Sequence, residues 1–197
     1  MAKDVARFGA VNSLTQTLLK LTSPGAPDIY QGNEIWDYSL VDPDNRRPVD
    51  YKQRREMLES LATANSPDLV RNWADGRIKL FLTQCVLQFR REHVELFQRG
   101  EYLPLTVGGA FAESCISFAR QLGDQWIVII APRLSSRVGF PPIAESWQDT
   151  TLEIPETLSL EHAHDLFTCR PVPVQDRRLK LADALSILPF AAVTNLS

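Results

Sequence analysis

The stretch from Thr22 to Val49 holds the most varied chemistry of the chain. Tyr30, Trp36 and Tyr38 offer flat apolar faces, and Gln31, Asn33 and Asn45 offer amides. Glu34, Asp37, Asp42 and Asp44 offer carboxylates, and Arg46 and Arg47 offer forked donors. This mixture suits a sugar, whose ring carries C–H patches and a girdle of hydroxyls that both donate and accept. A phosphate fits less well, because in the loop after Gln31 four acids stand against two arginines and no glycine-rich nest of backbone amides is present. Asp42-Pro43-Asp44-Asn45 is also ordinary turn chemistry, in which Asp and Asn bond their own backbone. Composition alone leaves both readings open.

The elements that must hold this stretch can be read from periodicity. Val5, Phe8, Val11, Leu14, Leu18 and Leu21 recur at steps of three and four, with Leu19 widening the stripe, and predict a helix over about 4–21. Pro24, Gly25 and Pro27 end it. Asp28 to Gln31 is short enough to be only a brief strand or a turn, and a loop follows. Asp50 can cap a helix to about Ala62, with Met57, Leu58 and Leu61 facing inward and Lys52, Gln53, Arg54 and Arg55 facing water. A short helix over 67–73 is closed by Asp75-Gly76. Ile78, Phe81, Leu82, Cys85, Val86 and Phe89 then mark an amphipathic helix that ends in a solvated Arg90-Arg91-Glu92.

From about Gly100 the period changes. Short β-branched or aromatic stretches at 102–107, 114–120, 126–131, 151–154, 166–168, 179–181 and 190–194 are separated by turn formers. Trp126 to Ala131 lacks polar alternation and is expected at the centre, buried on both faces. The fold class expected is α+β: a helical half over residues 1–98, then an antiparallel β-sandwich over 99–197, sharing a fixed interface. A lone short strand at Asp28 to Gln31 has nothing to pair with. The helical half, with its helix beginning almost at the first residue, therefore reads as part of something larger.

The run from Asn12 through Pro27-Asp-Ile-Tyr30-Gln-Gly32-Asn-Glu34, continued by Trp36-Asp-Tyr-Ser-Leu-Val-Asp42-Pro-Asp44-Asn45-Arg46-Arg47-Pro48, resembles the α-amylase family of glycoside hydrolases. Within that family it is similar to the trehalose-forming synthases. Asp75-Gly-Arg-Ile-Lys-Leu80 and Glu95-Leu-Phe-Gln-Arg-Gly-Glu-Tyr-Leu-Pro-Leu105 carry the same likeness past the expected domain boundary. The resemblance implies the last helix, eighth strand and following loop of an incomplete (β/α)8 barrel, then the family's β-domain. It implies an enzyme that converts the reducing-end α-1,4 bond of a maltooligosaccharide to α,α-1,1 by intramolecular transfer, without a cofactor.

By resemblance, Asp42 and Arg46 occupy an Asp-x-x-x-Arg spacing that holds glucose units; the alternative is a structural Asp–Arg pair that braces the loop. Tyr30, Glu34, Asp44, Asn45 and Arg47 are further candidates for sugar contact on the same loop, with core packing the alternative for Tyr30 and binding of backbone N–H groups the alternative for Glu34. The family's nucleophile, acid/base and stabilising aspartate come from earlier barrel strands whose motifs do not occur here, so no catalytic residue is assigned. The fragment alone is then expected to be inactive. A stand-alone carbohydrate-binding or interaction domain, and the tail of another α-amylase-family hydrolase, are the alternatives.

Composition bounds the rest. With 197 residues and 44% hydrophobic content the chain can bury a core, and a net charge of −3 with no run of one sign argues against nucleic acid as partner. Cys85, Cys115 and Cys169 suggest neither a disulfide framework nor a zinc site. Export and membrane insertion are not expected, so a cytoplasmic location is. His162 and His164 would put two imidazoles on one side of a strand, but without a third ligand no metal is expected. Trp126 and Trp147 are expected in the core rather than on a sugar platform. The expected partners are the maltooligosaccharide, the upstream barrel segments, and further copies of the fragment through its exposed apolar surface.

Overall fold

The computed structural model describes residues 1–40, 42 and 44–196, the side chain of Asn45 excepted. Helix α1 (Ala2–Thr22) obeys its stripe only in part: Val11, Leu14, Leu18 and Leu21 are buried, whereas Val5 is 66% exposed. After it, Asp28 to Tyr30 form no strand, and Gln31 to Asn33 turn, closed by Asn33 N–H donating to the Tyr30 carbonyl at 3.3 Å. The strand expected there is corrected to coil and turn, because no described neighbour offers a ladder of backbone partners.

Helix α2 (Tyr51–Ser60) starts as expected, the Asp50 carboxylate accepting from Gln53 N–H at 2.9 Å. Met57 and Leu61 pack inward, but Leu58 is 40% exposed. Helix α3 (Ser66–Arg71) is capped by Asn65, and Gly76 at φ +85° joins the turn Trp73–Asp75 to α4 (Arg77–Glu92). Along α4, Ile78, Leu82, Val86 and Phe89 are buried against Leu14, Leu18 and Leu21 of α1. Helix α5 (Val94–Arg99) completes the helical half.

The strands are β1 (Glu101–Pro104), β2 (Val107–Gly108), β3 (Cys115–Leu122), β4 (Gln125–Pro132), β5 (Thr151–Glu153), β6 (His164–Asp165), β7 (Val174–Gln175), β8 (Arg178–Lys180) and β9 (Ala191–Thr194). They form two antiparallel sheets, ordered β1-β3-β4-β9-β6 and β2-β5-β8-β7. A four-residue helix α6 (Leu181–Ala184) follows β8. Strand β4 lies between β3 and β9 with both faces buried, as its unbroken apolar sequence predicts. Its alternation sends Ile127, Ile129 and Ala131 into the core shared with the helices. Val128 and Ile130 enter a second core, with Leu152 and Leu179 of the other sheet. The five-stranded sheet is thus the middle of three layers.

Two strand expectations are corrected. The stretch 102–107 divides between β1 and β2 in different sheets, with Leu105-Thr106 between them. Leu166 to Thr168 form a turn, because the buried Asp165 carboxylate accepts from Thr168 N–H at 3.0 Å and Thr168 O–H at 2.7 Å. That closes the chain on itself one step after β6.

The layers are tied by polar contacts as well as by packing. Thr15 of α1 donates to the Pro132 carbonyl at 2.6 Å. The Arg120 guanidinium, 2% exposed, donates to the carbonyls of Phe97 at 2.9 Å, Gly100 at 2.8 Å and Thr22 at 3.4 Å. It therefore joins β3 to the C-terminal ends of α5 and α1, where unpaired helix carbonyls concentrate partial negative charge.

Candidate functional site

The loop from Tyr30 to Val49 is built as an anchored base and an exposed crest. Arg54 forms the first anchor: its guanidinium donates to Glu34 at 3.1 Å and to the carbonyls of Gly32 at 2.9 Å and Asp50 at 3.2 Å. Its side chain is 17% exposed, so the expectation that Arg54 faces water is corrected. Tyr51 O–H adds a bond to the Gln31 side-chain carbonyl at 2.6 Å.

The second anchor lies on Ile35 and Trp36. The Trp36 indole N–H donates to the Trp73 carbonyl at 2.7 Å, and the two rings meet edge to face at 6.5 Å. The Lys79 ammonium donates to the Ile35 carbonyl at 3.2 Å. Gly76 permits this approach: a Cβ there would stand 3.0 Å from Ile35 Cβ and 3.3 Å from the Trp36 nitrogen, and its positive φ favours glycine. Trp36 thus faces the core, which leaves Tyr30 and Tyr38, 65% and 78% exposed, as the open aromatic faces of the loop.

A third anchor sets how the chain leaves α1. Arg90 donates to the carbonyls of Leu21 at 2.7 Å and Gly25 at 3.0 Å, with its guanidinium 4.9 Å from the centre of the Phe97 ring. Burial holds its pKa below the ordinary arginine value. The expectation that Arg90 is merely solvated is corrected.

Beyond these anchors the crest is braced internally. Ser39 donates to the Asp37 carboxylate and holds its pKa below the usual range. Leu40 N–H donates to Asp44 at 2.8 Å, and Asp44 pairs with Arg47. Arg46 meets Asp42 fork to fork, one Nη2–Oδ2 bond measuring 2.9 Å. The sequence-assigned residues therefore separate. Asp42, Asp44, Arg46 and Arg47 gather on the crest, Tyr30 is exposed at the base, and Glu34 is engaged by Arg54. The Asn45 side chain lies outside the described residues.

The crest can present two guanidinium forks and their carboxylates to a ring of hydroxyls. Both Asp42–Arg46 partners are more than half exposed, so their attraction is worth about 0–1 kcal/mol and yields readily to ligand hydroxyls. Glu34, Asp42 and Asp44 each already meet a cation, an arrangement for binding rather than for proton transfer. Sequence reasoning missed Arg54, Trp73 and Lys79. The signals for Lys79 were its place beside the Ile78 stripe and within the Asp75-Gly-Arg-Ile-Lys-Leu80 run, neither of which marks it as bonding the loop.

Other features are accounted for by the fold. Trp126 and Trp147 are buried, their indole N–H groups donating to Ser159 and Pro142 carbonyls at 2.9 Å. His162 sits in a turn at φ +61°, so the two imidazoles do not share a strand. Among the described residues no group of three or more His, Cys, Asp and Glu is placed to hold a metal ion. Burial pushes the thiols of Cys85 and Cys115 up to about 12, away from the thiolate form. No described helix is long and apolar enough to cross a membrane.

The chain is 38% identical over 145 residues to a protein of Mycobacterium tuberculosis (strain CDC 1551 / Oshkosh) described as a maltooligosyl trehalose synthase. That match covers 74% of this chain and 16% of the relative, so the chain spans about one-sixth of the curated relative's length. In structure it superposes on the maltooligosyltrehalose synthase of Arthrobacter ramosus with a TM-score of 0.77 and 33% identity. There it covers 98% of this chain and 23% of that one. A maltogenic α-amylase of Thermotoga neapolitana, at TM-score 0.51 and 14% identity, shares the fold alone. No protein-family profile matches the chain.

Proposed function

We propose that this chain, a relative of the maltooligosyl trehalose synthases, is the C-terminal portion of such an enzyme and contributes the Tyr30 to Arg47 loop to its sugar groove. Residues 1–98 then belong to the end of a (β/α)8 barrel, and 99–197 to the β-sandwich that packs on its flank. The upstream barrel segments are the partner this surface is shaped to meet.

In this reading the intact enzyme forms a covalent glycosyl intermediate on a carboxylate outside this chain. The released glucose, held close, attacks through its 1-hydroxyl in place of water and forms the α,α-1,1 bond. Retention of configuration needs two carboxyl groups about 5 Å apart. None is assigned in this chain. Its role is to hold sugar hydroxyls with Asp42 and Arg46, with Tyr30, Asp44 and Arg47 beside them, and to keep water from the intermediate. Glu34 serves through Arg54 as part of the loop's foundation.

The observation that carries the reading is the superposition on the Arthrobacter ramosus enzyme over 98% of this chain, of which it spans only 23%. The stand-alone binding domain has no comparable support. The test is to titrate the isolated chain with maltopentaose by calorimetry and to chromatograph the mixture. Weak or no binding with no new product is expected. Tight binding would favour a stand-alone sugar-binding module, and a trehalose-ended product would overturn the division of labour proposed.

A further inference from the structure

Lys79 is, with Arg120, a deeply buried cation that meets backbone carbonyl oxygen rather than a carboxylate. It is 6% exposed in the first turn of α4, and among the described residues it forms no ion pair. Its ammonium donates to the Ile35 carbonyl at 3.2 Å and lies 6.0 Å from the centre of the Trp36 ring. Glu34 and Asp37 on the loop attract it from farther away, and Lys20 on α1 repels it. Burial, followed by Lys20, lowers its pKa from the ordinary lysine value.

A methionine of similar volume would fill the same space without the desolvation cost. What a methionine could not do is bond the Ile35 carbonyl. That carbonyl belongs to the last backbone segment clamped before the crest: Arg54 fixes Gly32 and Glu34 on one side, and Trp73 and Gly76 fix Trp36 on the other. We infer that Lys79 is a positioning residue of the sugar loop, setting through Ile35 and Trp36 the angle at which Asp42, Asp44, Arg46 and Arg47 meet the ligand. Its consequence for sugar handling rests on the function proposed above.

Two measurements test this, using Lys79→Met and Lys79→Arg. In this chain, hydrogen exchange of peptides spanning 32–40 is expected to speed up about tenfold in Lys79→Met, while the melting temperature holds or rises. Lys79→Arg should restore protection. Unchanged exchange, or a uniform loss of protection with a lower melting temperature, would overturn the assignment. In the longer enzyme that carries this segment, Lys79→Met should raise KM about tenfold with kcat nearly unchanged, and Lys79→Arg should recover it. If Asp42→Ala raises KM and Lys79→Met does not, the positioning role fails and the sugar-loop reading stands. If Lys79→Met loosens 32–40 while Asp42→Ala leaves KM unchanged, the positioning role stands and the sugar-loop reading fails.

Discussion

Arg54, Arg90 and Arg120 act mainly on backbone carbonyls; the bonds of Arg54 and Arg90 fix where the loop begins and ends, and those of Arg120 tie β3 to the end of α5. Replacing Arg120 by Met would take the donor from the buried Phe97 carbonyl and the partly buried Gly100 carbonyl. Urea denaturation should show a loss of about 2–4 kcal/mol. Asp42→Ala, by contrast, should cost less than about 1 kcal/mol in the same assay, because its pair with Arg46 is exposed. Lys79 makes a pH prediction whose sign follows from its lowered pKa. Between that lowered value and the ordinary 10.5 the unfolded chain binds more protons, so the Lys79 contribution to stability rises with pH across that window. Lys79→Met should remove that rise, read as the difference between the two chains' stability against pH. At this scale the i,i+4 spacing of Asp42 and Arg46 was legible in the sequence. Arg54 was not, because helix periodicity reports which face is apolar and not which loop comes back to cover a polar one.

Among the elements, α4 and β4 were the most legible, since each pattern of apolar residues has one physical solution. The second half of α1 was legible for the same reason. Its first half carries the same stripe but meets little to bury it, as the exposure of Val5 shows. The turn after β6 was illegible because it depends on one carboxylate accepting three bonds, from Thr168 N–H, Thr168 O–H and Ala192 N–H. Burial pushes the Asp165 pKa upward against the pull of those donors. Asp165→Ala should therefore destabilise the chain by about 1–3 kcal/mol, with added hydrogen exchange concentrated at 164–170 rather than in β4. The absent strand at Asp28 to Gln31 has the opposite cause. Its residues permit extension, and no strand among the described residues pairs with them.

At the scale of the molecule, three layers share two cores, and the middle sheet belongs to both. The segment before residue 50 is different: Val5, Ile29, Tyr30, Tyr38 and Leu40 are 66%, 39%, 65%, 78% and 77% exposed. So much open apolar surface calls for a covering partner. Light scattering of the isolated chain should show a mass that rises with concentration, and Tyr38→Ser with Leu40→Ser should reduce it. A monomer at every concentration would count against that expectation. The most direct measurement of the central claim is made in the longer enzyme carrying this segment, with Asp42→Ala or Arg46→Ala. The account predicts weaker maltooligosaccharide affinity and a larger share of hydrolysis relative to transfer. Unchanged affinity together with an unchanged ratio of transfer to hydrolysis would contradict it.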